Sequence, residues 1–231
     1  MKKCFIWFVL PIAICIAGAA RGDYVVATQD WNEAGLNGWT SDEGWVNLSN
    51  PGAGGNTGGY LQVELEAVGM FEGKDYALPY TGSTNFYTGA WNTNYWVAFD
   101  FWASNTQPGY VQVQWAGTND TNRVWASTVF DSNDESMSLE TWTGLTSPKF
   151  LYHTDWDYLD ALDNWTQQDF IDDLASIDWI GVYIWRTGTG QQFYGIDNFK
   201  LMVPEPGQML MLLAAVLGSA GALRGKKPAI G

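Results

Sequence analysis

From residue 24 to residue 202 the chain keeps returning to one pattern. Runs of six to ten residues, in which Val, Ile, Tyr, Phe or Trp alternate with other residues, are closed off by clusters of Gly, Asn, Thr and Pro. A period of two places successive side chains on opposite sides of an extended backbone, and β-branched and aromatic residues pack well on that pleated surface. The runs at 24–29, 60–66, 95–103, 110–116, 125–130, 179–186 and 193–202 therefore predict strands. Many short strands with long connections predict an all-β fold, an antiparallel β-sandwich of the jelly-roll type. One segment departs from the pattern. Thr166 predicts a helix cap, Asp169 follows three residues on, and Phe170, Leu174 and Ile177 recur on one helical face, so a single short helix is expected across one end of the sandwich.

The two ends of the chain have a different composition. Lys2 and Lys3 precede an apolar stretch at 5–17 and the small residues Gly18, Ala19 and Ala20, the layout of a secretory signal peptide, expected over residues 1–22. At the other end, Val203-Pro204-Glu205-Pro206 is followed by an apolar run at 209–223 and then Arg224-Gly225-Lys226-Lys227. Two prolines stop a strand, and an uncharged run with a cationic end suits a membrane helix. In order and spacing this tail resembles the PEP-CTERM sorting signal of bacterial envelope proteins. The resemblance implies that Pro204, Glu205 and Pro206 are read by an exosortase-type membrane protease, and that residues 204–231 hold a transmembrane helix before processing. The tail departs from that pattern in the four residues after its basic cluster, Pro228-Ala229-Ile230-Gly231. Export to the cell envelope, cell surface or extracellular matrix is the expectation. Both cysteines, Cys4 and Cys15, fall in the leader, so the domain at 23–203 has no disulfide and depends on its packed core.

Within 23–203 there are 24 acidic residues against 5 basic ones, a net charge of −19. Such a surface repels nucleic acid and attracts cations. Asp155, Asp157, Asp160 and Asp163 are close in sequence but lack the glycine and terminal glutamate of an EF-hand loop. Catalysis has few candidates: His153 is the sole histidine, and no nucleophile elbow, metalloprotease helix or phosphate loop is present. The expectation is a non-enzyme. Glu64 and Glu66 alternate on one strand face, the minimum a glycosidase needs, which keeps a glycoside hydrolase or lyase as the lesser alternative.

Thirteen of the 14 tryptophans lie between residues 31 and 185. An indole is a rigid apolar plate with one polar edge, and sugar rings stack their C–H faces on such plates. Sorting each strand by face gives an aliphatic side and a second side: Trp96, Asp100 and Trp102; then Gln112 and Gln114; then Trp179, Tyr183 and Trp185. If these strands share a sheet, their second sides form a carbohydrate-binding patch of plates and amides, with Arg186 at its rim. The alternative is a structural matrix protein in which loops cover these rings as a second small core.

Two segments of the domain resemble known families. Gly55-Asn56-Thr57-Gly58-Gly59-Tyr60-Leu61, with Phe71-Glu72-Gly73-Lys74-Asp75 and the strand at 96–102, is similar to the opening half of laminin-B-like jelly rolls. Tyr194-Gly195-Ile196-Asp197-Asn198-Phe199-Lys200-Leu201 resembles the closing strand of galactose-binding-like domains and carbohydrate-binding modules. The second resemblance implies a structural calcium with Asp197 as a ligand; Asp197 capping a turn or pairing with Lys200 is the other reading.

Overall fold

The computed structural model describes residues 23–68, 73–82, 87–120, 122–151, 155–158 and 165–204. The expected signal peptide, the sorting residues Glu205 and Pro206, the expected membrane helix, and His153, Asp160 and Asp163 lie outside the described residues. Among the described residues, no helix is long and apolar enough to cross a membrane.

Among the described residues, alternation becomes thirteen strands: β1 (Tyr24–Gln29), β2 (Trp39–Thr40), β3 (Val46–Ser49), β4 (Leu61–Leu65), β5 (Tyr76–Ala77), β6 (Tyr80–Thr81), β7 (Trp96–Ala103), β8 (Tyr110–Gly117), β9 (Val124–Asp131), β10 (Thr143–Thr146), β11 (Asp157–Tyr158), β12 (Ile177–Trp185) and β13 (Gln192–Val203). They form a sandwich of two sheets in which every strand pairing is antiparallel. Sheet A runs β10-β7-β13-β4-β3 with β1 also on β13; sheet B runs β11-β9-β8-β12-β6-β2 with β5 also on β12. Apolar residues from the inward sides meet between the sheets: Val97, Phe99 and Phe101 from β7, Tyr194 and Ile196 from β13, Val111, Val113 and Trp115 from β8, and Ile180, Val182 and Ile184 from β12.

The one helix among the described residues, α1 (Gln167–Leu174), starts at a capping box in which the Thr166 side chain accepts from the Asp169 N–H and the Asp169 carboxylate accepts from the Thr166 N–H. Its Phe170 ring meets Trp115 and Trp125 edge-on, at centroid distances of 5.3 and 4.8 Å, so the helix closes one end of the core. Ile177, expected on the helix face, belongs to β12 instead: the helix stops at Leu174, and the chain enters the sheet with Ile177 buried.

Long β13 changes partner along one edge. Residues 192–196 pair with β4 and residues 199–203 with β1, and the pairing with β7 slips between Asp197 and Lys200. The extra residue is accommodated by Asn198 at φ +49°, a left-handed conformation that asparagine tolerates better than most residues.

Candidate functional site

The two sheets divide the residues expected to form one patch. Trp96, Asp100 and Trp102 lie on β7 in sheet A, whereas Gln112, Gln114, Trp179, Tyr183 and Trp185 lie on β8 and β12 in sheet B. Because each strand turns its aliphatic side to the shared interior, these two groups face opposite outer surfaces of the sandwich. The expectation of a single shared sheet is corrected on this point. The reason is topological: β7 and β8 are consecutive in the chain, yet their connection passes from one sheet to the other.

On the outer side of sheet B, β12 and β8 pair so that Trp185 lies opposite Tyr110, Tyr183 opposite Gln112, and Gly181 opposite Gln114. The rings form a continuous ribbon. Trp185 and Tyr110 are parallel within 5° at 5.6 Å, Tyr110 and Tyr183 within 13° at 5.8 Å, and Tyr183 and Tyr76 within 15° at 5.0 Å. Trp45 closes this end edge-on to Tyr76, its indole N–H donating to the Tyr76 carbonyl. Further along, Tyr80 leans on Trp179 at 5.7 Å. All seven rings are partly exposed. Gly181 provides the room: a Cβ there would lie 2.7 Å from the Pro79 carbonyl and 2.8 Å from the Tyr80 Cβ, so only glycine lets residues 79–80 pass this close to β12.

Beside the ribbon runs a polar row. Gln114 donates to Gln112, which donates to Thr128 on β9. Gln114 itself is buried, at 2% exposure, so Gln112 and Thr128 are the members of the row that face outward. Burial, and then Tyr110, hold the Tyr183 hydroxyl protonated well above the usual phenol range, while burial and the hydrogen bond to Asp42 push Tyr80 up to about 12. These hydroxyls are therefore neutral donors wherever the domain is folded near neutral pH.

Arg186 does not sit at the rim. It is 3% exposed, and its guanidinium donates to the carbonyls of Glu66, Gly188 and Gly190, tying down the loop after β12. On sheet A, Trp96 is nearly covered, with the Lys149 ammonium 5.3 Å from its ring centroid. Trp102 is half-buried in a cluster with Tyr60 and Trp142. Asp100 accepts from the side-chain amides of Asn56 and Asn198.

Asp197 is fully buried beneath the loop that carries Thr57. Its carboxylate accepts from the N–H groups of Thr57 (3.1 Å) and Asn198 (2.7 Å), and burial raises its pKa. Among the described residues no three acidic, histidine or cysteine side chains gather around one point. Of the acidic pair Glu64 and Glu66, Glu64 on β4 accepts from Gln191, and Glu66, just past the end of β4, accepts from Asn47, so each is taken up by an amide at the surface.

Sequence reasoning missed Tyr76, Tyr80 and Tyr110. Tyr110 carries the same alternation as Gln112 and was legible. Tyr76 and Tyr80 sit in strands of two residues, too short to show a period.

No family model matches the chain, and no curated protein matches it. Among solved structures, the chain is similar to a Family 11 carbohydrate-binding module from Clostridium thermocellum in complex with a beta-1,3-1,4-mixed-linked tetrasaccharide, at 20% identity over 79% of this chain and 96% of that one, with a TM-score of 0.49. It is also similar to the CBM22-1 xylan-binding domain from Paenibacillus barcinonensis Xyn10C, at 14% identity over 80% of this chain and 98% of that one, with a TM-score of 0.49. The ligands named there are those proteins' own.

Proposed function

We propose that residues 23–203 form a non-catalytic carbohydrate-binding domain of an exported bacterial envelope or matrix protein, sorted through its C-terminal segment, and that the glycan lies along the outer face of sheet B. The observation that carries this reading is the ribbon itself: four near-parallel rings, Trp185, Tyr110, Tyr183 and Tyr76, continued by Trp179 and Tyr80 and bordered by the Gln112 amide and the Thr128 hydroxyl. A polysaccharide presents C–H faces and hydroxyls in alternation along its length, and a strip of plates beside a strip of amides and hydroxyls matches that order. The strip of exposed rings suits a chain that lies along it, with no catalytic pair required.

Affinity electrophoresis against a panel of polysaccharides tests the reading. The domain is expected to be retarded by at least one glycan. Tyr183→Ala and Trp185→Ala are expected to weaken that binding roughly five- to thirtyfold, each ring contributing about 1–2 kcal/mol, with cooperative unfolding retained. Trp102→Ala, on the other sheet, is expected to leave it unchanged. Loss of stability without any loss of retardation would assign the ribbon to a structural role, as in a matrix protein.

A further inference from the structure

The end of the ribbon at Trp179 differs chemically from the rest. Where β12 begins, its pairing with β8 slips: Ile177 lies opposite Gly117 and Trp179 opposite Ala116, leaving Asp178 as the extra residue of a β-bulge. In a regular strand Asp178 and Trp179 would point to opposite faces; the bulge lets both line the same open cleft, of about 340 Å³, together with Tyr80, Asp42, Leu78 and Gly82. Tyr80 donates to Asp42 at 2.9 Å and fixes that carboxylate at the mouth of the cleft. Among the described residues no cationic side chain bridges Asp42 or Asp178. The polar groups beside Tyr183 are amides bonded to one another, whereas those beside Trp179 are two carboxylates that no cationic side chain bridges among the described residues.

An indole and a phenol ring flanked by two carboxylates attract a cation in two ways, through the ring quadrupole and through charge, and they repel uronate or sulfate groups. Resting on the glycan reading above, we infer that the Trp179 cleft is a subsite for a protonated amino sugar, so that the domain selects polysaccharides with de-N-acetylated hexosamine residues. The amine lies between Asp42 and Asp178 and the sugar ring stacks against Trp179. The neutral face of the ribbon carries the neighbouring sugars.

Titration calorimetry of the full chain with a glucosamine tetramer and with its N-acetylated counterpart separates the possibilities. The amine form is expected to bind at least tenfold more tightly, and Asp178→Asn and Trp179→Ala to erase that preference, while Asp134→Asn, exposed on β9's far loop, leaves it. Asp178 is only half-buried, so Asp178→Asn reads the same point if Trp179→Ala fails to fold. Equal affinity for the two tetramers, with binding lost in Trp185→Ala, overturns the amine selectivity and keeps the glycan reading. A preference that survives in both cleft variants overturns the subsite, because it reports the domain's overall negative charge. Binding of neither tetramer, with no polysaccharide retarding the domain, overturns both readings.

Discussion

At the scale of single residues, neighbours in the chain can have opposite environments: Trp185 is partly exposed and Arg186 beside it is buried. Arg186 follows Trp185 on an exposed ribbon, yet its planar fork reaches three carbonyls of two loops, and burial lowers its pKa against the pull of Tyr194 and Asp75. An ammonium cannot span that fork. Arg186→Met is therefore expected to destabilise the domain by roughly 2–3 kcal/mol by stranding buried acceptors, with Arg186→Lys recovering only part, as read by chemical denaturation. Asp197 shows the same lesson. Its place in the closing strand was legible, but the Thr57 N–H that meets it comes from 140 residues away, and no local pattern encodes a contact across that separation.

At the scale of elements, α1 is where sequence and structure agree in most detail. Thr166 and Asp169 form the expected cap, because the signal lies within four consecutive residues. What holds the helix to the sandwich was not expected: Asp173, fully buried, accepts from Arg123 at 2.6 and 3.1 Å and from the Trp125 indole N–H at 2.9 Å. Removing that carboxylate leaves the partly buried guanidinium with Asp169 alone and takes the Asp173 acceptor from the Trp125 indole N–H. Asp173→Ala is expected to cost about 3 kcal/mol, measured by urea denaturation. The cap adds a pH dependence. Hydrogen bonds from Thr166, and then the charge of Arg123, hold the Asp169 carboxyl below its ordinary pKa. Its contribution is thus present above the unfolded-state value and lost as pH falls through the depressed folded value. Asp169→Asn is expected to melt below the parent protein at neutral pH, and the two melting temperatures are expected to converge in acid.

At the scale of the whole molecule, the sandwich has two aromatic outer faces separated by a core of interlocked rings. Seven of the domain's tryptophans are buried, and the other six are half-exposed at the surface. The Trp102 and Trp185 sites lie on different sheets and share no partner. The destabilisation of the double variant Trp102→Ala/Trp185→Ala is accordingly expected to equal the sum of the single variants within about 0.5 kcal/mol in thermal denaturation. A larger coupling would mean that the faces communicate through the core.

The amino-acid order alone determined the all-β class, most of the longer strands, the side of each strand that turns inward and the capped helix, because all of these depend on neighbours within a few residues and on a period of two or 3.6. It could not determine which strands share a sheet, since that is decided by connections that cross the sandwich and by long-range pairing such as β13 with β4 and β1. Only the tertiary structure moved Trp96, Asp100 and Trp102 away from the ribbon, buried Arg186 and Asp197, and brought Tyr76, Tyr80 and Asp42 to the edge of β12. Those placements come from packing and from hydrogen bonds between segments far apart in the chain, which no local alternation records.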